Sequence, residues 1–166
     1  MRYNHPMRLE ETLGPLLIAR RLTLAVAESC TGGLIGHRLT NVPGSSEYFL
    51  GGLIAYSYLA KEKLLGVQHD TLETFGAVSE QTVREMARGA RRVLGADLGV
   101  AVTGIAGPGG ATPDKPVGLT WIALSAPDFE RAERRVWTGN REANKQASAE
   151  AALRLVLDYL EHSSLR

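Results

Sequence analysis

Two short apolar runs, Thr23–Ala27 and Leu98–Val102, constrain this chain more than any other feature. Each is short enough for a strand and too continuous to alternate between core and solvent. Such runs belong to strands buried on both faces, as in a sheet covered by helices. Stretches of helical spacing surround them. Leu9, Leu13, Leu16 and Leu17 place an amphipathic helix over about 7–20, and Leu34, Ile35 and Leu39 place another over about 31–40. Val83, Met86, Ala87, Ala90, Val93 and Leu94 form the apolar stripe of a helix over about 79–94. Residues 51–57 read as a strand, 58–65 as a helix, and Ser45 to Phe49 as a short helical turn. Gly118 to Ser125 and Arg131 to Trp137 read as a hairpin of strands around Pro127-Asp128. Asn140 is placed to cap a last helix over about 141–161. The alternation predicts an α/β fold: a single three-layer α/β/α domain with a mixed, mostly parallel β-sheet. Its bounds are about 8–162, after a flexible stretch at 1–7.

Composition removes several function classes. Nineteen Lys and Arg stand against 18 Asp and Glu, a formal net charge of +1. That balance gives no support for a nucleic-acid clamp, which needs clustered basic surface. One cysteine excludes an internal disulfide and a Cys-rich zinc site, and four scattered His residues offer no metal spacing. These counts offer no metal signature, and no cofactor is expected. The first residues lack the apolar core of a signal peptide, and no apolar run approaches the roughly 18 residues of a membrane span. The expectation is a soluble cytoplasmic protein without a membrane partner.

Six of the 18 glycines form two clusters directly after the two apolar runs. Glu28-Ser29-Cys30-Thr31-Gly32-Gly33 follows the first, and Thr103-Gly104-Ile105-Ala106-Gly107-Pro108-Gly109-Gly110 follows the second. Ligands of open α/β sheets bind beyond the carboxyl ends of strands, where glycine lets the backbone approach closely. Both clusters are thus candidates for one pocket holding an anionic ligand; the alternative is a pair of tight turns. No phosphate-binding loop of the G-x-x-x-x-G-K-[ST] type exists, and Thr31 replaces the first glycine of a dinucleotide fingerprint.

Three hydroxyl or thiol candidates stand near these segments. Cys30 lies between a strand and a helix, where a thiol is activated, although a lone cysteine is more often a small core residue. Ser45 and Ser46 sit at a helical turn, where serine also serves as an N-cap. A serine nucleophile needs a base. Lys61 qualifies if burial lowers its pKa, and Tyr56, five residues earlier, is placed to relay a proton between Ser46 and Lys61. Arg141, opening the last helix, suits a phosphate better than the helix dipole.

Taken in order, Ala27-Glu28-Ser29-Cys30-Thr31-Gly32-Gly33, Pro43-Gly44-Ser45-Ser46, Tyr56-Ser57…Lys61, Gly76-Ala77-Val78-Ser79, Thr103-Gly104-Ile105-Ala106-Gly107-Pro108 and Lys115-Pro116-Val117-Gly118 resemble the CinA C-terminal domain family. These are the nicotinamide-nucleotide amidases, or PncC. The resemblance covers about 8–160. It implies metal-independent hydrolysis of the carboxamide of nicotinamide mononucleotide to nicotinate mononucleotide and ammonia. It also implies Ser46, with Ser45 as the neighbouring alternative, as nucleophile, Lys61 as general base and Tyr56 as proton relay. Ser29, Thr31, Gly32, Gly33, Ser45, Thr103, Gly104, Ile105, Ala106, Gly107 and Arg141 would contact substrate, and a homodimer or other homo-oligomer is expected. Tyr58 departs from the asparagine often found two residues after the tyrosine. Longer relatives carry an N-terminal domain associated with pyrophosphatase activity, which is not transferred here. Two rivals remain: a Cys30 amidase, and a catalytically silent pyridine-nucleotide-binding module linked to competence or DNA damage.

Overall fold

Strand β1 (Leu24–Glu28) shows why the chain folds as it does. All five of its residues are buried. Leu24 and Val26 point into one core, while Ala25 and Ala27 point into another. A strand with two buried faces must lie inside a sheet covered on both sides. The computed structural model describes residues 7–163 and shows that sheet. The expected loose stretch at 1–7 falls, except for Met7, outside the described residues.

Five strands take the order β2-β1-β3-β4-β5. They are β1, β2 (Phe49–Ile54), β3 (Leu98–Gly104), β4 (Leu119–Ser125) and β5 (Glu130–Val136). β2 and β3 flank β1 and run parallel to it. β4 is antiparallel to β3, and β5 to β4. The sheet is mixed as expected, but its pairings divide evenly rather than being mostly parallel. The reason is the pair of short returns after β3 and β4, where no helix intervenes to reset the direction.

Helices α1 (Leu9–Arg20), α2 (Leu34–Thr40) and α6 (Arg141–His162) cover one face. Helices α3 (Tyr58–Leu65), α4 (His69–Phe75) and α5 (Glu80–Leu94) cover the other. The faces differ in side-chain size. Leu24, Val26, Leu98, Val100, Val102, Ile122 and Leu124 fill the α1/α6 side, whereas Ala25, Ala27, Ala101 and Ala123 line the α5 side. Small residues let α5 press close to the sheet. A Cβ at Gly99 would collide with the Ala87 carbonyl oxygen, and one at Gly89 with that of Leu65 on α3. Arg38 ties the opposite layer together, pairing with buried Glu10 of α1 at 2.6 Å and Glu150 of α6 at 2.7 Å.

Helix α4 was not expected from periodicity. It has seven residues, and only Leu72 is buried, too little for a helical stripe to be visible. It matters because its end leads into Gly76–Val78, one wall of the site below. Among the described residues, no helix is long and apolar enough to cross a membrane.

Candidate active site

Parallel pairing brings the carboxyl ends of β2, β1 and β3 side by side. Glu28 is paired with Ile54 on one side and Val102 on the other. Ser29 is the first residue past β1, and its N–H donates to the Val102 carbonyl at 3.0 Å. On the other flank, Ala55 N–H donates to the Glu28 carbonyl at 2.9 Å. Helix α3 starts two residues after Tyr56, capped by the Ser57 hydroxyl, which accepts from Ala60 N–H at 3.1 Å. One turn in, Lys61 turns back under the strand ends.

Lys61 is completely buried. Its Nζ donates to Ser29 Oγ at 3.0 Å, to the Ala55 carbonyl at 2.8 Å and to the Tyr56 carbonyl at 3.1 Å. Burial pushes the ammonium down to about 8, opposed only by Cys30. Desolvation disfavours the charged form, and no carboxylate offsets it. In the neutral amine, the two carbonyls can hold the two N–H bonds and leave the lone pair facing Ser29 Oγ. A serine hydroxyl against a neutral lysine is an arrangement that can supply a nucleophile and its base.

The pairing corrects the sequence expectation. Lys61 meets Ser29, not Ser46 or Ser45. Those serines occupy a 3-10 turn, Ser45–Glu47, immediately before β2. The Tyr48 carbonyl accepts from Leu24 N–H at 2.7 Å, so the turn lies where β1 and β2 begin. Lys61 lies where they end. Six residues of strand separate the two, about 20 Å at the rise of an extended chain. Ser46 is solvent-exposed. Tyr56 consequently stands between neither pair: its carbonyl anchors Lys61, and its hydroxyl accepts from Arg141 Nη2 at 3.2 Å.

A cavity of about 180 Å³ opens over Ser29 and Lys61. Of the residues expected at a ligand, Ser29, Tyr56, Lys61, Thr103, Gly104, Ala106 and Arg141 line it. Cys30, Ala77 and Val78 complete the wall. Thr103 Oγ1 donates to the Ala77 carbonyl at 2.8 Å, closing β3 onto the segment after α4. Arg141 Nη1 donates to the Gly107 carbonyl at 2.8 Å. Asn144, one turn later and buried, donates to the Ala106 carbonyl and accepts from Gly139 N–H, both at 3.0 Å. The loop after β3 is thus pinned to α6 at two adjacent carbonyls.

Thr31, Gly32, Gly33, Ile105 and Gly107 do not line this cavity. Ile105 pairs through its backbone with Leu119 and Gly118, and Gly107 acts through the carbonyl that holds Arg141. Gly33 carries a φ of 102°, which turns the chain into α2. The expected helix N-terminus for an anion is already occupied. Buried Glu28 accepts from Gly33, Ile35 and Gly36 N–H at 3.0, 3.1 and 2.9 Å. Sequence reasoning missed this role. Its signal is a carboxylate ending an apolar strand, five residues before a glycine that opens a helix. Cys30 is buried, and burial pushes its thiol up to about 11. Such a thiol is the inert kind. Its Sγ packs where a Gly104 Cβ would stand, so glycine is required there. Lys115 does not reach the cavity but donates to the Phe75 carbonyl at 2.6 Å.

The family model of the CinA C-terminal domain matches residues 7–160. The chain belongs to the CinA C-terminal domain family. A CinA-like protein of Chlorobaculum tepidum is 54% identical over 154 residues, which cover 90% of this chain and 36% of that protein. The chain spans little more than a third of the length of the curated relatives it matches first. Solved structures agree with the architecture. A CinA superfamily protein from Klebsiella pneumoniae superposes with a TM-score of 0.90 at 33% identity, covering 93% of this chain and 97% of that one. The competence/damage inducible protein CihA from Agrobacterium tumefaciens gives 0.86 at 41% identity, covering 95% and 98%. The CinA α/β domain therefore runs through nearly the whole described chain.

Proposed function

We propose that this CinA-family chain is a metal-independent amidohydrolase of phosphorylated pyridine carboxamides. Its substrate is nicotinamide mononucleotide, and its products are nicotinate mononucleotide and ammonia. The observation that carries the reading is the fully buried Lys61, its Nζ 3.0 Å from Ser29 Oγ and its pKa lowered to about 8. A buried ammonium without a carboxylate partner is expensive to keep for structure alone. Against a serine at a strand end, it suits chemistry.

Ser29 Oγ attacks the amide carbon while its proton passes to Lys61 Nζ. The tetrahedral oxyanion needs N–H donors. Cys30 and Thr31, directly after Ser29, have backbone N–H groups with no acceptor oxygen among the described residues. Those two are the oxyanion donors in this reading. Lys61 then gives its proton to the nitrogen, the C–N bond breaks, and ammonia leaves a Ser29 ester. Water attacks the ester, its proton passes through Lys61 to Ser29 Oγ, and the carboxylate is released. Arg141 and Tyr56 border the opening and orient the pyridine.

The test is ammonia release from nicotinamide mononucleotide without added metal by wild type, Ser29→Ala and Ser46→Ala. Wild type and Ser46→Ala turn over, and Ser29→Ala does not. Loss in Ser46→Ala with activity kept in Ser29→Ala would return the nucleophile to the 3-10 turn. Binding without ammonia from wild type would favour the silent module.

A further inference from the structure

A second cavity, about 400 Å³, adjoins the first. Leu34 of α2 forms one side, and Arg141, Glu142, Lys145 and Gln146 of α6 form the other. Arg141 borders both cavities. Arg141 and Lys145 are four residues apart and share a helix face.

The two cations are engaged differently. Arg141 is bound to the Gly107 carbonyl and the Tyr56 hydroxyl, so its guanidinium is already engaged where it borders both cavities. Lys145 is half-buried, and its ammonium has neither an ion pair nor a hydrogen bond among the described residues. Its Nζ lies over the backbone of Gly32, 3.9 Å from the point a Cβ would occupy. Gly32 has a φ of 61° and carries no side chain to screen that ammonium. Gly32 N–H donates to the Ser29 carbonyl at 3.1 Å, so Lys145 stands one turn from the serine. Its charge acts on the Cys30 thiol. Glu142 is the single carboxylate on the cavity wall, against two cations.

We propose that Lys145 is the specificity-determining contact for a phosphate monoester, held in this second cavity while the carboxamide lies against Ser29. The proposal rests on the amidase reading of the first cavity. It moves the phosphate contact from Arg141, the residue the sequence favoured, to the ammonium without a partner. The carboxamide and the 5′-phosphate are at opposite ends of a mononucleotide, and the two cavities have Arg141 as a common wall residue. A lysine ammonium is a compact charge suited to a phosphate dianion. The remote phosphate then supplies binding energy that positions the reacting carbon. A nucleoside, lacking the dianion, is discriminated against at Lys145.

The experiment compares kcat/KM for nicotinamide mononucleotide and nicotinamide riboside in wild type, Lys145→Gln and Lys145→Arg. Loss of one charge-assisted contact predicts that the nucleotide-to-riboside ratio falls about 10- to 100-fold in Lys145→Gln. Lys145→Arg restores most of the ratio. An unchanged ratio in Lys145→Gln overturns the proposal. Should wild type release no ammonia from either compound, the amidase reading fails. Lys145 is then decided by calorimetry of the same two compounds. Tighter binding of the nucleotide that is lost in Lys145→Gln supports the phosphate contact, and equal or absent binding overturns it.

Discussion

Replacing Lys61 by methionine removes the buried ammonium and keeps most of the side-chain volume. The magnitude follows from the pKa. The free side chain titrates at 10.5, and burial lowers it to about 8. Between these values the unfolded chain binds a proton that the native chain does not, so wild-type stability rises with pH. At about 1.4 kcal/mol per pH unit, the gap amounts to about 3 kcal/mol. Below about 8, Lys61 is charged in both states and the native state bears the whole desolvation penalty. Above 10.5, it is neutral in both and the penalty is gone. Urea unfolding of wild type and Lys61→Met at pH 7 and pH 10.5 measures this difference, and subtracting the two proteins cancels other titrating groups. We expect wild type to gain about 3 kcal/mol on the variant over that range, most of it above pH 8. With Lys61 as the base of the proposed amidase, about a tenth of it is neutral at pH 7, and we expect kcat/KM to climb roughly tenfold by pH 9. A stability difference that is flat from pH 7 to 10.5 would refute the argument, because Lys61 would then not be desolvated.

Three further outcomes follow from packing and hydrogen bonds. Cys30→Ala keeps amidase activity, and wild-type thiol alkylation at pH 8 is slow, since the thiol is buried and titrates at about 11; rapid labelling accompanied by inactivation would contradict this. Glu28→Ala strands three N–H donors at the start of α2 and lowers stability by about 2–4 kcal/mol, read by urea denaturation. Gly89→Ala drives a Cβ into the Leu65 carbonyl and destabilises by more than about 2 kcal/mol, whereas Gly109→Ala, in open space, changes the melting temperature little.

Much of the scaffold was legible because burial leaves a periodic trace. β1 and β3 appear as continuous apolar runs, α5 as a stripe over about 79–94, and α6 as a helix capped by Asn140; that Ser79 caps α5 was shown by the structure. Even the asymmetry of the sheet is written locally, in alternating Leu/Val and Ala/Gly positions. α4 left little trace, since a seven-residue helix with one buried leucine has no stripe. The site was half legible. Glycine clusters after β1 and β3 marked the correct end of the sheet, and Lys61, Tyr56 and Arg141 do gather there. Ser46 was paired with Lys61 through the motif resemblance, and neither a motif nor a helical turn records which hydroxyl the lysine meets in space.

The sequence by itself determined the layers, the strand ends that carry the glycine-rich loops, and membership in the CinA C-terminal domain family. These follow from local patterning, which each residue expresses through its neighbours in the chain. Partnership was decided only by tertiary structure. Ser29 and Lys61 are 32 residues apart, and nothing local relates them. They meet because β1 and β2 pair in parallel, which puts both carboxyl ends at one edge and leaves Ser46 at the other. Lys61 is completely buried there. Only then does an ordinary lysine have its pKa pushed down to about 8, because desolvation depends on what surrounds the ammonium and not on its place in the sequence.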